Sequence, residues 1–400
     1  MTTATLDRAT TTGPRLLGVD VARGLALFGM MAVHSFDVFT SSGTPSAATA
    51  IAGGRSAATF AFVAGVSLTF LSGGRAGLTG RRRHAAAAGI AVRGLIIGLI
   101  GLVLGYLGTA EVILPFYGLM FLLTVPLLGL SPRVLALLAA GFALGGPVLL
   151  VIAARHGLSF ADIDTSPTLT TVVEDPVRLV TMLLITGAYP VVAYLTYVCA
   201  GLAVGRLDLT SNRVAGRLLA GGATAAVLAQ LVSWILLHPV GGLTRLVAAG
   251  GGRAATGDDG VSAAEQLLWE PHQSSSWWYL ALASPHANTP LDLIHTTGVA
   301  AAVLGGALLL TARSVAARLL RPVAAAGSMT LTLYSAHLVL LTTGVQDKVP
   351  ALFLLFLVVA GTGFAVLWRR RHAQGPLERV VAIAAGRVRR AADASDASPP

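Results

Sequence analysis

Residues 15–36 read RLLGVDVARGLALFGMMAVHSF, an apolar run that carries an acid, a base and an imidazole. A charged side chain at membrane depth is costly, so each such residue is a functional hypothesis by default. Arg23 and His34 are eleven residues apart, which on a helix places them within about 20° of one another and about 16 Å apart along the axis. Asp20 lies one turn before Arg23 and can pair with it, either fixing that guanidinium for a reaction or locking the helix to a neighbour. His34 has the chemistry of a general base or of a nucleophile that carries a group covalently. A second polar face appears in AAAGSMTLTLYSAHLVLL, where Thr330, Tyr334 and His337 recur at i, i+4 and i+7. His337 and Tyr334 suit the orientation of an acceptor or the stabilisation of an oxyanion, and equally a structural hydrogen bond between helices. Arg93, inside another apolar run, can snorkel towards the cytoplasmic face or bind phosphates through its planar fork. Glu111 and Arg55 stand at the ends of two further runs, as site residues or interfacial anchors. Of nine histidines, seven (His34, His156, His238, His272, His286, His295, His337) fall on one side of the chain's alternating topology, with His156 and His238 the first to discount.

The elements that must position these residues are membrane spans. Apolar residues make up 54% of the 400-residue chain and charged residues only 12%, against roughly 45–50% and 25% in soluble domains. Mean hydropathy is +0.75. The expected fold class is all-α, a polytopic membrane helix bundle of about ten transmembrane helices. Their expected places are near 16–36, 51–72, 85–108, 111–130, 134–153, 179–204, 214–237, 291–312, 323–344 and 349–368. The first is read as a retained span, because it contains Asp20 and Arg23 and lacks a small-residue cleavage site.

The net charge of +10 is distributed as a topology signal. With both termini in the cytoplasm, twenty Lys and Arg residues fall in inner segments and six in outer ones. This excludes nucleic acid as the expected partner and leaves membrane lipid. Three regions follow: a cytoplasmic tail over 1–15, a transmembrane domain over 16–368 with outer loops at 154–178 and 238–290, and a basic cytoplasmic tail over 369–400. Trp277, Trp278 and Tyr279 in the second loop suit an interfacial belt or a re-entrant segment, and Leu377 to Arg390 reads as an amphipathic surface helix. The single cysteine, Cys199, excludes a disulfide framework or a cysteine metal cluster, and no metal site is expected. No Walker loop, zinc spacing, GxSxG or dinucleotide fingerprint is present.

The opening helix resembles that of the transmembrane acyltransferase superfamily. Further stretches resemble the same group in order along the chain: RSAATFAFVAGVSL, ILPFYGLMFLL, GAYPVVAYLTYVCAGLAVGRLDL and RPVAAAGSMTLTLYSAHL. The resemblance is nearest to the heparan-alpha-glucosaminide N-acetyltransferase-like and YeiB-like branch. It implies no bound cofactor but acyl-CoA, acetyl-CoA first, as co-substrate. The acyl group would move from the cytoplasm to a hydroxyl or amine of a glycan or lipid-linked acceptor on the outer face of the cell membrane. In O-acyltransferase relatives an Arg and a His spaced like Arg23 and His34 form the functional pair. The glucosaminide enzyme uses a histidine in the loop after the first span, and here that loop, Asp37 to Ala50, has none.

On that reading His34, Arg23, Asp20 and His337 are the catalytic group, and Arg93, Arg55, Glu111 and Tyr334 bind substrate or donor. A transporter or flippase using Asp20, Arg23 and the histidines as a polar path is the alternative. A scaffold subunit without chemistry is the third reading. A homodimer stays open as an assembly.

Overall fold

A computed structural model describes residues 16–158, 166–250 and 261–394. The expected tail over 1–15, with Arg8 and Arg15, lies outside these residues, as do Arg253 and most of the glycine-rich stretch in the second outer loop. Helix α1 (Leu17–Ser35) is followed by a short α2 (Ala47–Ala52), whose first turn is capped by Ser46 Oγ accepting the Thr49 N–H at 3.3 Å. The chain breaks at Gly53–Gly54 before α3 (Arg55–Leu71), with Gly54 at φ +66°, a conformation that favours glycine. Helices α4 (Gly80–Leu104), α5 (Leu114–Thr124) and α6 (Pro132–Arg155) follow. Small helices α7 (Leu169–Glu174) and α8 (Pro176–Thr181) lead through a π turn at Met182–Thr186 into α9 (Val191–Gly205). Helix α10 (Asn212–Leu237) is joined by α11 (Gly242–Ala248) and α12 (Ala263–Trp269) to α13 (Pro290–Thr311). The last third comprises α14 (Ser314–Gly327), α15 (Thr330–Leu341), α16 (Val345–Lys348), α17 (Pro350–Arg369) and α18 (Pro376–Ala394).

Seven of these segments are long and apolar enough to cross a bilayer: α1, the α2–α3 unit, α4, α6, α10, α13 and α17. The protein is therefore a multi-pass membrane protein built from a helical bundle. About ten spans are expected from the sequence; seven helices qualify singly, and nine segments if each of two bent pairs is one span. The expected sixth span bends by 56° between the π turn and α9, where Gly187 and Pro190 interrupt the backbone ladder. The expected ninth span, 323–344, is two helices, α14 and α15, meeting at 67°. Its first half belongs to an amphipathic helix in which Arg318 and Arg321 are exposed, so hydropathy averaged across the joint hides the turn. The expected fourth span is the short apolar segment Leu114–Gly129, ending in a 3-10 turn.

The helices meet through glycine. A Cβ on Gly65 or Gly201 would overlap the backbone of the facing helix, which brings α3 against α9. Gly222 and Gly298 do the same for α10 and α13, and Gly24 and Gly327 for α1 and α14. Without a solvent-driven hydrophobic force between helices in lipid, this backbone-level contact supplies the packing. At one end of the bundle the arginine-rich connections touch one another. Arg206 Nη2 donates to the Leu128 carbonyl, Arg75 pairs with Asp208 at 3.2 Å and Arg81 Nη2 donates to the Asp393 carbonyl. This is the basic end. At the opposite end a small core of Val151, Leu237, Leu246, Leu267, Tyr279 and Leu282 seats the outer loop helices. Arg155 stacks on Trp277 and Arg245 on Trp278, with the guanidinium carbons 4.5 and 5.0 Å from the ring centres. Cys199 is buried in the main bundle.

The tail helix α18 departs from a simple surface element. Val381 and Ala385 are buried, and the helix packs along α4. Its Glu378 carboxylate accepts from Thr332 N at 3.1 Å and Thr332 Oγ1 at 2.6 Å, which ties it to the first turn of α15.

Candidate functional site

The polar stripe of α1 divides between two sets of neighbours. Arg23 Nη1 reaches Asp20 Oδ1 at 3.1 Å and the Gly327 carbonyl at 3.0 Å, and its Nη2 reaches Ser67 Oγ at 2.7 Å. The contact with Gly327 is possible because Gly24 and Gly327 let α1 and α14 approach at backbone distance. Asp20 is buried, and the pair stands where an uncompensated charge would be costly.

One helical length away, His34 Nδ1 lies 3.0 Å from His337 Nε2, and the rings stack at 16° with centres 5.3 Å apart. One nitrogen donates to the other. The Tyr334 ring meets His337 edge-on at 5.0 Å, and the Tyr334 hydroxyl oxygen accepts the Ile113 N–H at 3.3 Å. The expected face Thr330–Tyr334–His337 is wholly buried.

A cavity lies towards each end of the bundle, and His34 lines one of them. The one towards the basic end has a volume of about 200 Å³ and is lined by Arg23, Ser67, Arg93, Tyr117, Tyr334 and Glu378, among others. The other, of about 440 Å³, is lined by His34, Glu111, Tyr189, Glu270, His272 and His286. The structure thus brings Arg23, Arg93 and Tyr334 to one chamber, and His34 and Glu111 to the other. Arg55 lines neither. Its Nε donates to His295 Nε2 at 3.0 Å and its Nη1 to the Ala50 carbonyl at 2.9 Å, while His295 Nδ1 meets the Ala226 carbonyl at 3.0 Å. That network braces α3 against α10 and α13.

His286 enters the second chamber from a turn with unusual backbone. His286 and Asn288 both have positive φ, 57° and 53°, a region that non-glycine residues occupy at a cost. The turn is held by the Gly54 N–H donating to His286 Nε2 at 3.2 Å and by Asn288 N donating to Asp292 Oδ2 at 2.9 Å. Nε2 of His286 is therefore an acceptor, and burial pushes this imidazole down to about 4.

Sequence reading did not single out Ser67, Tyr117, Glu270 or Glu378, and it gave His272 and His286 no role. Glu378 had one legible signal, an acid in the first turn of an arginine-rich helix. Tyr117 had none, being one aromatic in an apolar run.

The bundle and its buried polar centre define a multi-pass helical membrane protein with polar chambers towards both ends. A family model described as heparan-alpha-glucosaminide N-acetyltransferase, catalytic, matches residues 15–237. A second, described as a protein of unknown function (DUF418), matches residues 261–385. The first covers more than half of the chain, and the protein belongs to that membrane acetyltransferase-like family. No curated protein matches the chain.

Proposed function

We propose that this protein transfers an acyl group, acetyl in the first instance, from a CoA thioester at its basic end to a hydroxyl or amine presented at the opposite end. The basic end is assigned to the cytoplasm, because Lys and Arg accumulate in cytoplasmic loops. The observation that carries the reading is the His34–His337 pair: His34 lines the outer chamber, and His337 is in edge contact with Tyr334, which lines the other.

The smaller chamber, about 200 Å³, suits the acyl-thioester end of the donor and is too small for its nucleotide. The phosphates would stay at the basic mouth, near Arg93 and the exposed Arg81, Arg82 and Arg83. Arg23, held by Asp20, Ser67 and Gly327, fixes the wall between the mouth and the histidines. When His34 Nδ1–H donates to His337 Nε2, His34 Nε2 keeps its lone pair. It then removes the proton of the acceptor as that group adds to the thioester carbonyl, and returns the proton to the departing sulfur. The overall change is acyl-CoA plus R–XH to R–X–acyl plus CoA–SH. Glu111, Glu270 and the strained turn carrying His286 line the acceptor chamber with hydrogen-bonding groups suited to a polar, glycan-like molecule.

Purified protein in liposomes, given radiolabelled acetyl-CoA on the basic side and a panel of amino sugars and lipid-linked glycans on the other, tests this directly. Transfer should occur in the wild type and vanish in His34→Ala. A translocation path is the second reading, favoured by a polar chamber towards each end of the bundle. Substrate flux without acetyl-CoA consumption would decide for it.

A further inference from the structure

The phenol of Tyr117 is anomalous. Its hydroxyl is buried, and it makes no hydrogen bond in the structure. A buried donor left without a partner costs on the order of 1–3 kcal/mol, so native proteins rarely keep one unless something else uses it. Packing gives no reason for the oxygen. The ring is fixed by edge contacts with Phe60 and Phe121, at 5.5 and 6.2 Å between centres, which phenylalanine would make equally well.

Its position supplies a reason. Tyr117 and Tyr334 line the same chamber, the one that also holds Arg23 and Arg93. The Tyr334 oxygen is seated on the N–H of Ile113, the residue that caps α5. Tyr117 lies one turn further along that helix, its own N–H donating to the Ile113 carbonyl at 3.1 Å. A helical side chain leans back towards the start of its helix, so the Tyr117 phenol covers the turn where the Tyr334 hydroxyl is bound. Tyr334 accepts through its oxygen, and its own O–H finds no acceptor among the described residues. Two phenols without an acceptor thus line one chamber beside the first turn of an eleven-residue helix, where the backbone field also favours negative charge. The Tyr334 ring touches His337, which carries the hydrogen bond to His34.

We infer that Tyr117 and Tyr334 form a two-donor oxyanion site for the carbonyl of the acyl thioester. The inference rests on the acyl-transfer reading and adds to it a catalytic residue, Tyr117, and the place where the thioester oxygen sits. In the addition step the nucleophile forms a bond to the carbonyl carbon, and the C=O π pair moves onto oxygen. Both phenols donate hydrogen bonds to that oxygen and keep their protons. In the collapse step the pair returns to re-form C=O, the C–S bond breaks, and the sulfur leaves with the pair and takes the proton held by the histidine.

Tyr117→Phe removes one oxygen and leaves the ring. Steady-state kinetics with acetyl-CoA, together with the thermal midpoint of the purified protein, separate the possibilities. The expected result is a kcat lower by 10²–10³-fold, the range for loss of one oxyanion donor, with KM for acetyl-CoA unchanged and a midpoint equal to or above wild type. Tyr334→Phe should give a comparable kcat loss with a lower midpoint, since it also strips the Ile113 N–H of its acceptor. A Tyr117→Phe variant with wild-type kcat overturns the inference and leaves the acyl-transfer reading standing. A joint fall of kcat and midpoint in Tyr117→Phe also overturns it, because the hydroxyl then has a structural task. A wild-type protein that neither binds nor cleaves acetyl-CoA overturns both.

Discussion

His34 and His337 are 303 residues apart in the chain and 3.0 Å apart between Nδ1 and Nε2, stacked ring on ring. Helices α1 and α15 meet at that contact. Groups acting as one unit show non-additive losses. His34→Ala should abolish transfer, His337→Ala should lower kcat by roughly 10²-fold or more, within the range for acid–base groups, and the double variant should match His34→Ala. Multiplicative losses in single-turnover assays would mean that the two imidazoles act separately.

Arg23 holds three helices through Asp20, Ser67 and Gly327. Arg23→Met deprives the buried Asp20 of that partner, and the expected cost is about 3 kcal/mol or more. Adding Asp20→Asn should recover part of the stability without restoring activity. Thermal unfolding in detergent reads both, and a single variant as stable as wild type would remove Arg23 from the framework.

Glu378 places a carboxylate in the chamber that holds Arg23 and Arg93. Glu378→Gln keeps an acceptor for Thr332 and removes the negative charge, so KM for acetyl-CoA should fall several-fold, and more at low salt. Ending the chain at Gln374 removes α18 and with it one wall of the chamber. Acetyl-CoA hydrolysis should then rise relative to transfer, measured as free thiol released per acetylated product. An unchanged ratio would show that α18 does not separate the thioester from water.

His286 gives a pH dependence with a defined sign. Its folded value is lowered to about 4 from an ordinary value near 6.5. As pH falls below about 6.5 the unfolded chain takes up a proton that the folded protein refuses, so stability declines until about 4 and then levels. The full loss is on the order of 3 kcal/mol. His286→Asn, a residue that tolerates positive φ, should flatten the thermal midpoint between pH 7.5 and 4.5. A profile as steep as that of the wild type would assign the effect to other groups.

Periodicity and hydropathy found the helical class, seven spans and the polar face Thr330–Tyr334–His337. They also placed Arg23 and His34 on one stripe of α1. They could not show that these two residues serve different neighbours, because Ser67, Gly327 and His337 reach α1 only through tertiary packing. The joints at Gly187–Pro190 and Ser328–Met329 were invisible to an average over eighteen residues, since the apolar content on either side resembles that of a straight span. Arg55 looked like a site residue by its place at a helix entrance, and His295, 240 positions away, turns it into a brace. Tyr117 and Glu378 are ordinary in sequence. Each became informative only beside a cavity.

Glu378 and Val381 wall the same chamber as Arg23, although they lie more than 350 positions later in the chain. In the acyl-transfer reading, a nascent chain that has not yet reached residues 376–394 would already hold the histidine pair but would leave the thioester open to water. Placing α18 against α4 would then be the step that shelters the donor.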